Sequence, residues 1–324
     1  MKTRKLGANG PTVSAIGLGA MSFGGIFGNT TETESLRCLD VMLDQGISFI
    51  DTANIYGMGI SEAVIGKWFS TRHPAVTIAT KASFVAGPDR RIDNSGTHLR
   101  TELEASLKRL KRDHVELFYI HRREHARPLA EVIGTVSRLI EEGKVGGYGL
   151  SEIAPETLGE AHLIHPCTAV QNEYSLWSRQ PELGLIQACK ALGVAFVPFS
   201  PLARGMLGDT PLVQPTDGFR AANPRFTEPN FTTNTRRINA FRSFCAARGW
   251  TTPATALAWI LAKGDHLIPI PGTRKAENLC QWAQATDIAF SPEDHAEIDR
   301  ILPPGFAAGD RYADSQLLAI ERYC

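Results

Sequence analysis

Short apolar runs and stretches of helical period alternate along most of this chain. AIGLGA at 15–20, ISFIDTA at 47–53, AVTIATKA at 75–82 and VELFYIH at 115–121 have strand length and strand composition. VGGYGLS at 145–151, TAVQNEYS at 168–175, VAFVPFSP at 194–201 and HLIPIPG at 266–272 continue the series. Between them lie helical patterns. TETESLRCLDVMLDQG places Leu36, Leu39, Val41 and Met42 at roughly helical spacing and stops at Gly46. ISEAVIGKWF, HLRTELEASLKRLKRD, PLAEVIGTVSRLIEEGK, APETLGEAHLI and QPELGLIQACKALG follow in turn. Pro155 sits in a first helical turn, where its missing N–H costs nothing. Ahead of the first strand, RKLG and TVSAI flank Ala8-Asn9-Gly10-Pro11, and Asn-Gly predicts the turn of a small hairpin. Eight strands with helical connections close a parallel barrel. The expected fold is α/β: a (β/α)8 TIM barrel with an N-terminal β-hairpin, built from residues 1–324 as one domain.

Two stretches break the rhythm. Residues 203–233 are long and lack a stable period, and they follow barrel strand seven. A loop of that length in a compact enzyme is usually a lid or binding loop. It is expected to overhang the active face, to fold over a bound cofactor and to take part in substrate selection. The tail after Leu302 either packs on the barrel exterior or crosses the active face. There is no internal sequence repeat, no linker and no low-complexity tract.

Composition narrows the partners. Lys plus Arg and Asp plus Glu each number 34, so no global field draws the chain to nucleic acid or to an anionic membrane. No apolar run reaches the length of about eighteen residues needed to span a bilayer. The basic start is broken by glycine and proline and lacks the apolar centre of a secretory signal. Cys38, Cys167, Cys189, Cys245 and Cys280 lie in or near helical patterns and are expected to be buried fillers, while terminal Cys324 is expected to be exposed. No disulfide framework is expected, and cytoplasmic residence is the consistent reading.

Candidate chemistry gathers at strand ends. Asp51 ends the second strand, Lys81 the third and His121 the fourth, and Tyr56 follows in the loop after Asp51. In a strand–helix barrel these positions converge on one face. A phenol is a poor acid at neutrality, and a lysine ammonium beside it stabilises the phenolate. Lys81 would be costly inside an apolar strand without a partner, and Asp51 can supply one. A neutral His121 can donate a hydrogen bond to a carbonyl oxygen. Gly17-Leu18-Gly19 looks like the opening of a dinucleotide-binding fingerprint. Residue 22 is Ser rather than Gly, and Asp51 lies too far on, so an open-sheet fold is not expected.

FIDTANIYG with its following Ser-Glu, the strand-end Lys81, the His121 segment, VQNEYS, FSPLARG and IPIPGTRK together resemble the aldo-keto reductase superfamily. The resemblance runs from the hairpin to the segment after strand eight. It implies reversible hydride transfer between a nicotinamide cofactor and an aldehyde or ketone, without a metal. It makes Tyr56 the proton donor, Lys81 its activator, Asp51 the partner of Lys81 and His121 the group that orients the carbonyl. It assigns Ser151 and Gln171 to the carboxamide, Phe199 to stacking on the nicotinamide, and Ser200 and Leu202 to the phosphates. Gly272, Thr273 and Arg274 match the loop that takes the adenosine phosphate, and Asn278 and Gln281 lie further along it. NADPH is therefore the expected cofactor, with NAD possible. Many relatives carry an arginine and then an acid–asparagine pair where this chain has Asn278, Gln281 and Trp282, which weakens the phosphate preference. Glu152 stands where many relatives have asparagine. The alternatives are an NAD-preferring alcohol, pyridoxal-like or sugar dehydrogenase, or a cofactor-binding redox-sensing subunit with slow turnover.

The expected partner is a small carbonyl or alcohol, with neither nucleic acid nor membrane. Phe23, Ile55, Phe84, Trp177 and Met206 are candidate apolar walls of its pocket. HRREH at 121–125 invites a metal reading, but its spacing and extended setting are wrong for the helical zinc motif. Arg122 and Arg123 beside His121 face either an anionic substrate or a surface salt bridge.

Overall fold

The computed structural model describes residues 1–85, 87, 91–317 and 319–323; Cys324 lies outside the described residues. Strands β1 (Thr3–Lys5) and β2 (Thr12–Ser14) pair antiparallel as the expected hairpin. Its connection is wider than an Asn-Gly turn. Leu6 N–H donates to Pro11 O at 2.9 Å, and the left-handed residue is Gly7, at φ 74. Gly10 is needed for a different reason, since a Cβ there would lie 1.9 Å from Leu6 O. Leu6 and Val13 pack into the barrel interior and plug one end.

Strands β3 (Leu18–Gly19), β4 (Phe49–Asp51), β5 (Thr77–Ala82), β6 (Leu117–Ile120), β7 (Tyr148–Ser151), β8 (Ala169–Gln171) and β9 (Ala195–Phe196) form one parallel sheet in chain order. Residues 267–272 close it as the eighth strand. Leu267 bridges Phe196 and Gly272 bridges Gly19, both parallel. Ile268 and Ile270 donate to Phe196 O and Pro198 O at 2.9 and 3.0 Å. On the other edge Pro269 and Pro271 accept from Gly17 and Gly19, each at 2.9 Å. The two prolines need no donors because they face that edge with carbonyls only.

Helices α1 (Glu32–Asp44), α2 (Ile60–Arg72), α3 (Gly96–Leu110), α4 (Leu129–Glu141), α5 (Pro155–Ile164) and α6 (Leu185–Ala191) fill the connections read from periodicity. Thr31 and Glu34 form a capping box at the start of α1. The stretch QPELGLIQACKALG is not one helix. Gly184, at φ 120, separates a short turn at 180–182 from α6. Cys280 is exposed rather than buried, and the other described cysteines are buried and free.

Segment 203–233 also departs from expectation. It holds short helical turns at 203–205 and 224–226 and α7 (Gly218–Ala221), and it runs into α8 (Asn230–Ala247). Arg204, Asn223, Arg225, Phe226 and Phe231 are buried and anchor the segment by packing, while residues 209–211, 216–218 and 227–229 are exposed. Helices α9 (Thr252–Leu261), α10 (Glu277–Ala283) and α11 (Pro292–Ile301) complete the ring. No helix among the described residues is long and apolar enough to cross a membrane.

The alternation of strand side chains decides what points inward. Phe49, Ala79, Leu117, Tyr119, Ala169, Ala195 and Val197 form the interior cluster, whereas Ile50, Ile78, Phe118, Ile120, Val170 and Phe196 pack outward against helices. Asp51, Lys81 and Gln171 share the inward phase, one step nearer the C-terminal mouth. Gly149 is paired with Tyr119 across β6 and β7, and a Cβ there would meet the Tyr119 ring at 2.4 Å. A bulky interior ring is thus accommodated by a missing side chain on the next strand.

Candidate active site

The C-terminal mouth brings together residues from four strands. Asp51 and Lys81, from neighbouring strands, form an ion pair with side chains 2% and 0% exposed. Lys81 Nζ also donates to Thr52 O at 2.8 Å and lies 3.4 Å from the Tyr56 hydroxyl. The other Asp51 oxygen accepts from Gln171 Nε2 at 2.8 Å. The ammonium is therefore held by a carboxylate, a carbonyl and a phenol in a space closed to water.

Tyr56 is fixed by its loop. Its N–H donates to Ala53 O, and Ser61 N–H donates to Tyr56 O, both at 3.2 Å. Ser61 Oγ donates to Ala20 O at 2.9 Å, and Glu62 accepts from Arg109 at 2.6 Å. Gly24 lies against this loop so closely that a Cβ would meet the Tyr56 carbonyl carbon at 2.6 Å. The His121 ring stands edge-on to Tyr56 with centroids 6.0 Å apart, and Phe84 packs on His121 at 5.1 Å.

Burial sets the protonation states. It pushes Tyr56 above its ordinary 10.0, and the Asp51 charge adds to this, while Lys81 and Arg122 work against it. Proximity of Lys81 thus moderates a rise instead of producing the net lowering expected from the pair alone. Burial also works against the Lys81 ammonium, but Asp51 and Tyr56 outweigh it and hold Lys81 above 10.5. Burial, then Arg122 and Lys81, pull His121 well below 6.5, so the ring is neutral. His121 Nδ1 is buried with no hydrogen-bond partner among the described residues. A bare lone pair is tolerated there better than an orphan N–H, which favours the tautomer with the proton on Nε2.

The residues assigned to a cofactor are distributed around the same mouth. Ser151 Oγ accepts from Arg122 at 3.1 Å, and Gln171 is committed to Asp51. Phe199 is half-buried on the interior cluster. Behind it Ser200, Ala203 and Arg204 adopt left-handed backbone at φ 49, 51 and 56. Within this turn Ala203 N–H and Gly205 N–H are already spent on Ser200 O and Leu202 O, each at 2.9 Å. Thr273 Oγ1 is spent on its own loop, accepting from Asn278 Nδ2 at 2.8 Å and Lys275 N–H at 2.9 Å. Arg274 donates to Asn29 O at 2.6 Å. Leu202 is half-buried, Gly272 exposed and Gln281 half-buried. Phe27 and Phe219 meet at 5.9 Å, which ties segment 203–233 to the loop after β3 across the eighth strand.

The candidate apolar walls differ in burial and packing. Phe84 touches His121, and Ile55 is half-buried. Phe23, Trp177 and Met206 are buried as packing, with Trp177 against Phe226 at 5.6 Å and under the Arg225 guanidinium at 5.1 Å. Among the described residues no group of three or more His, Cys, Asp or Glu, HRREH included, is placed to hold a metal ion.

The tail crosses the active face, and Glu173, Arg204, Arg311 and Glu321, which the sequence reading did not single out, join Glu152 and Arg123 in holding it there. Arg311 donates to both Glu152 oxygens, at 3.0 and 2.5 Å. Glu173, fully buried, accepts from Arg204 at 2.9 Å and Ser178 at 2.8 Å. Glu321 accepts from Ala154 N–H at 2.7 Å, Thr157 at 2.7 Å and Arg123 at 3.0 Å. The available signal was the pair of acids placed just beyond Ser151 and Gln171, opposite an Asp-Arg-Tyr in the tail. Glu152 is thereby occupied by Arg311.

A model of the aldo/keto reductase family matches residues 15–303. A probable aldo-keto reductase 1 from Glycine max is 37% identical over 314 residues, covering 95% of this chain and 91% of that protein. Among solved structures, the glycerol dehydrogenase of Gluconobacter oxydans superposes with a TM-score of 0.84 at 25% identity, covering 93% and 94% of the two chains. An aldo-keto reductase of Bacillus halodurans in its holo form gives 0.79 at 26% identity, covering 96% and 98%.

Proposed function

The chain belongs to the aldo/keto reductase family and is an NAD(P)H-dependent oxidoreductase, and we propose that it reduces an aldehyde or ketone with NADPH, using Tyr56 as proton donor. The observation that carries this is the contact of a buried Lys81–Asp51 pair with the Tyr56 hydroxyl, beside a neutral His121. When bound, the nicotinamide cofactor supplies the hydride. The chain supplies the proton and the electrostatics. Tyr56 Oη protonates the carbonyl oxygen, and Lys81 Nζ, 3.4 Å away, stabilises the phenolate left behind. His121 Nε2–H donates to the same oxygen as charge grows on it. Asp51 keeps Lys81 charged and in place, and Gln171 orients Asp51. Run in reverse, the Tyr56 phenolate accepts the proton of an alcohol. Residues 1–324 act as one catalytic domain in this reading.

The cofactor's phosphates fit the left-handed turn at 200–204 and the Arg274 guanidinium, and Ser151 and Phe199 suit the nicotinamide. Arg204 in that turn is paired with Glu173, so Arg274 is the charged side chain of that set without an ion-pair partner among the described residues; Thr273 and Asn278 are used within their own loop. Replacing Arg274 by Ala should weaken NADPH about 10- to 150-fold, the size of a charge-assisted hydrogen bond, and NADH far less. Fluorescence titration with both cofactors checks this; equal losses would remove the phosphate-specific role.

The pH profile follows from the two shifts. Reduction needs Tyr56 protonated, and its value is raised, so activity is lost only as pH climbs past 10.0. It needs His121 neutral, and its value is lowered, so the acid limb lies below 6.5. The kcat/KM for reduction should be level between those limits. A basic limb between about pH 7 and 9 would contradict the assignment of Tyr56.

A further inference from the structure

The two arginines after His121 take different roles. Arg123 donates to Glu321 at 3.0 Å and to Thr157 at 3.2 Å, which docks the tail. Arg122 makes no ion pair with any carboxylate among the described residues. One of its terminal nitrogens donates to His121 O at 2.6 Å and to Ser151 Oγ at 3.1 Å. Its backbone N–H donates to Ser83 Oγ at 3.2 Å. Nε and the second terminal nitrogen have no protein acceptor among the described residues. Neither is sealed from solvent, whereas Nε of Arg123 is. The guanidinium is thus oriented by neutral oxygens, half-buried, and still has donors free. Its charge reaches both His121 and Tyr56, the two groups assigned to the carbonyl oxygen.

We propose that Arg122 recognises an anionic group on the substrate, and that the preferred carbonyl compound carries a carboxylate or an anion of similar geometry. This rests on the reductase reading of the same mouth. A guanidinium matches a carboxylate through paired N–H donors, and one held in place beforehand loses little freedom on binding. A neutral substrate gains nothing from the same donors.

The test has two arms. In the first, kcat/KM with NADPH is measured for the three carboxybenzaldehyde isomers and for their neutral methyl esters. The acid of the best-fitting isomer should exceed its ester by about 10- to 150-fold. In Arg122→Gln the acid-to-ester ratio should fall to near one, with the ester serving as the internal reference for any repacking. In the second arm, benzoate and benzamide are titrated calorimetrically into the protein saturated with NADP+. Benzoate should bind at least about tenfold tighter than benzamide, and Arg122→Gln should abolish the difference. Equal binding of the two, or a preference that survives Arg122→Gln, overturns the proposal. Failure to reduce any ester or acid would defeat the reductase reading instead, and the binding arm would still decide the role of Arg122.

Discussion

Replacing Tyr56 by Phe should lower turnover by about 100- to 10,000-fold, the usual contribution of a positioned general acid, with cofactor affinity almost unchanged. Phenylalanine keeps the ring that lies 5.1 Å from Lys81 Nζ and 6.0 Å from the His121 ring. It removes only the hydroxyl 3.4 Å from Lys81. Single-turnover oxidation of bound NADPH by an aldehyde panel measures the chemical step directly. A variant that retains half of the wild-type rate, with a deuterium isotope effect showing that chemistry limits it, would end the assignment. Saturable cofactor binding with no oxidation in the wild type would instead favour a sensing subunit. Lys81 is a poorer target for this purpose, because its removal strands the fully buried Asp51 and confuses activity with stability.

The largest expected effect on stability lies in the pairing of strand-end acids with the loops above them. Replacing Glu173 by Leu should destabilise the fold by about 3–5 kcal/mol, as breaking a buried pair does when one charge remains. Arg204, 1% exposed, would lose its carboxylate partner. Urea unfolding measures the loss, and a value under about 1 kcal/mol would show that water relieves the stranded charges. The double variant Glu173→Leu with Arg204→Leu should recover part of it. The pH dependence has a defined sign. Burial alone pushes Glu173 up, but Arg204, Arg311 and Arg225 outweigh it and hold it below 4.5. A depressed carboxylate contributes stability above its unfolded value and loses it as pH falls through the folded one. Glu173→Leu should therefore also flatten the acid side of the stability profile.

Repetition made the barrel legible in the chain. Apolar runs such as TIATK and LFYI, separated by helical periods, are local patterns, and backbone geometry converts each into an element with a defined inward phase. That phase alone puts Asp51 and Lys81 at one mouth. Strand eight was readable despite Pro269 and Pro271 because a closing strand can face one edge with carbonyls alone. Other features had no local signature. Gln171 meets Asp51 across 120 residues, and Arg311 meets Glu152 across 159. The tail's path over the mouth depends on those meetings, so the sequence left both routes open. Trp177 meets Phe226 and Arg225, from a segment without local periodicity, across about fifty residues. Arg122 and Arg123 are adjacent and chemically alike, yet only Arg123 finds a carboxylate among the described residues. Periodicity reports how a residue faces its own element, a short-range property of the backbone. Partnership between loops is set by which side chains arrive in the same volume, and only the closed barrel decides that.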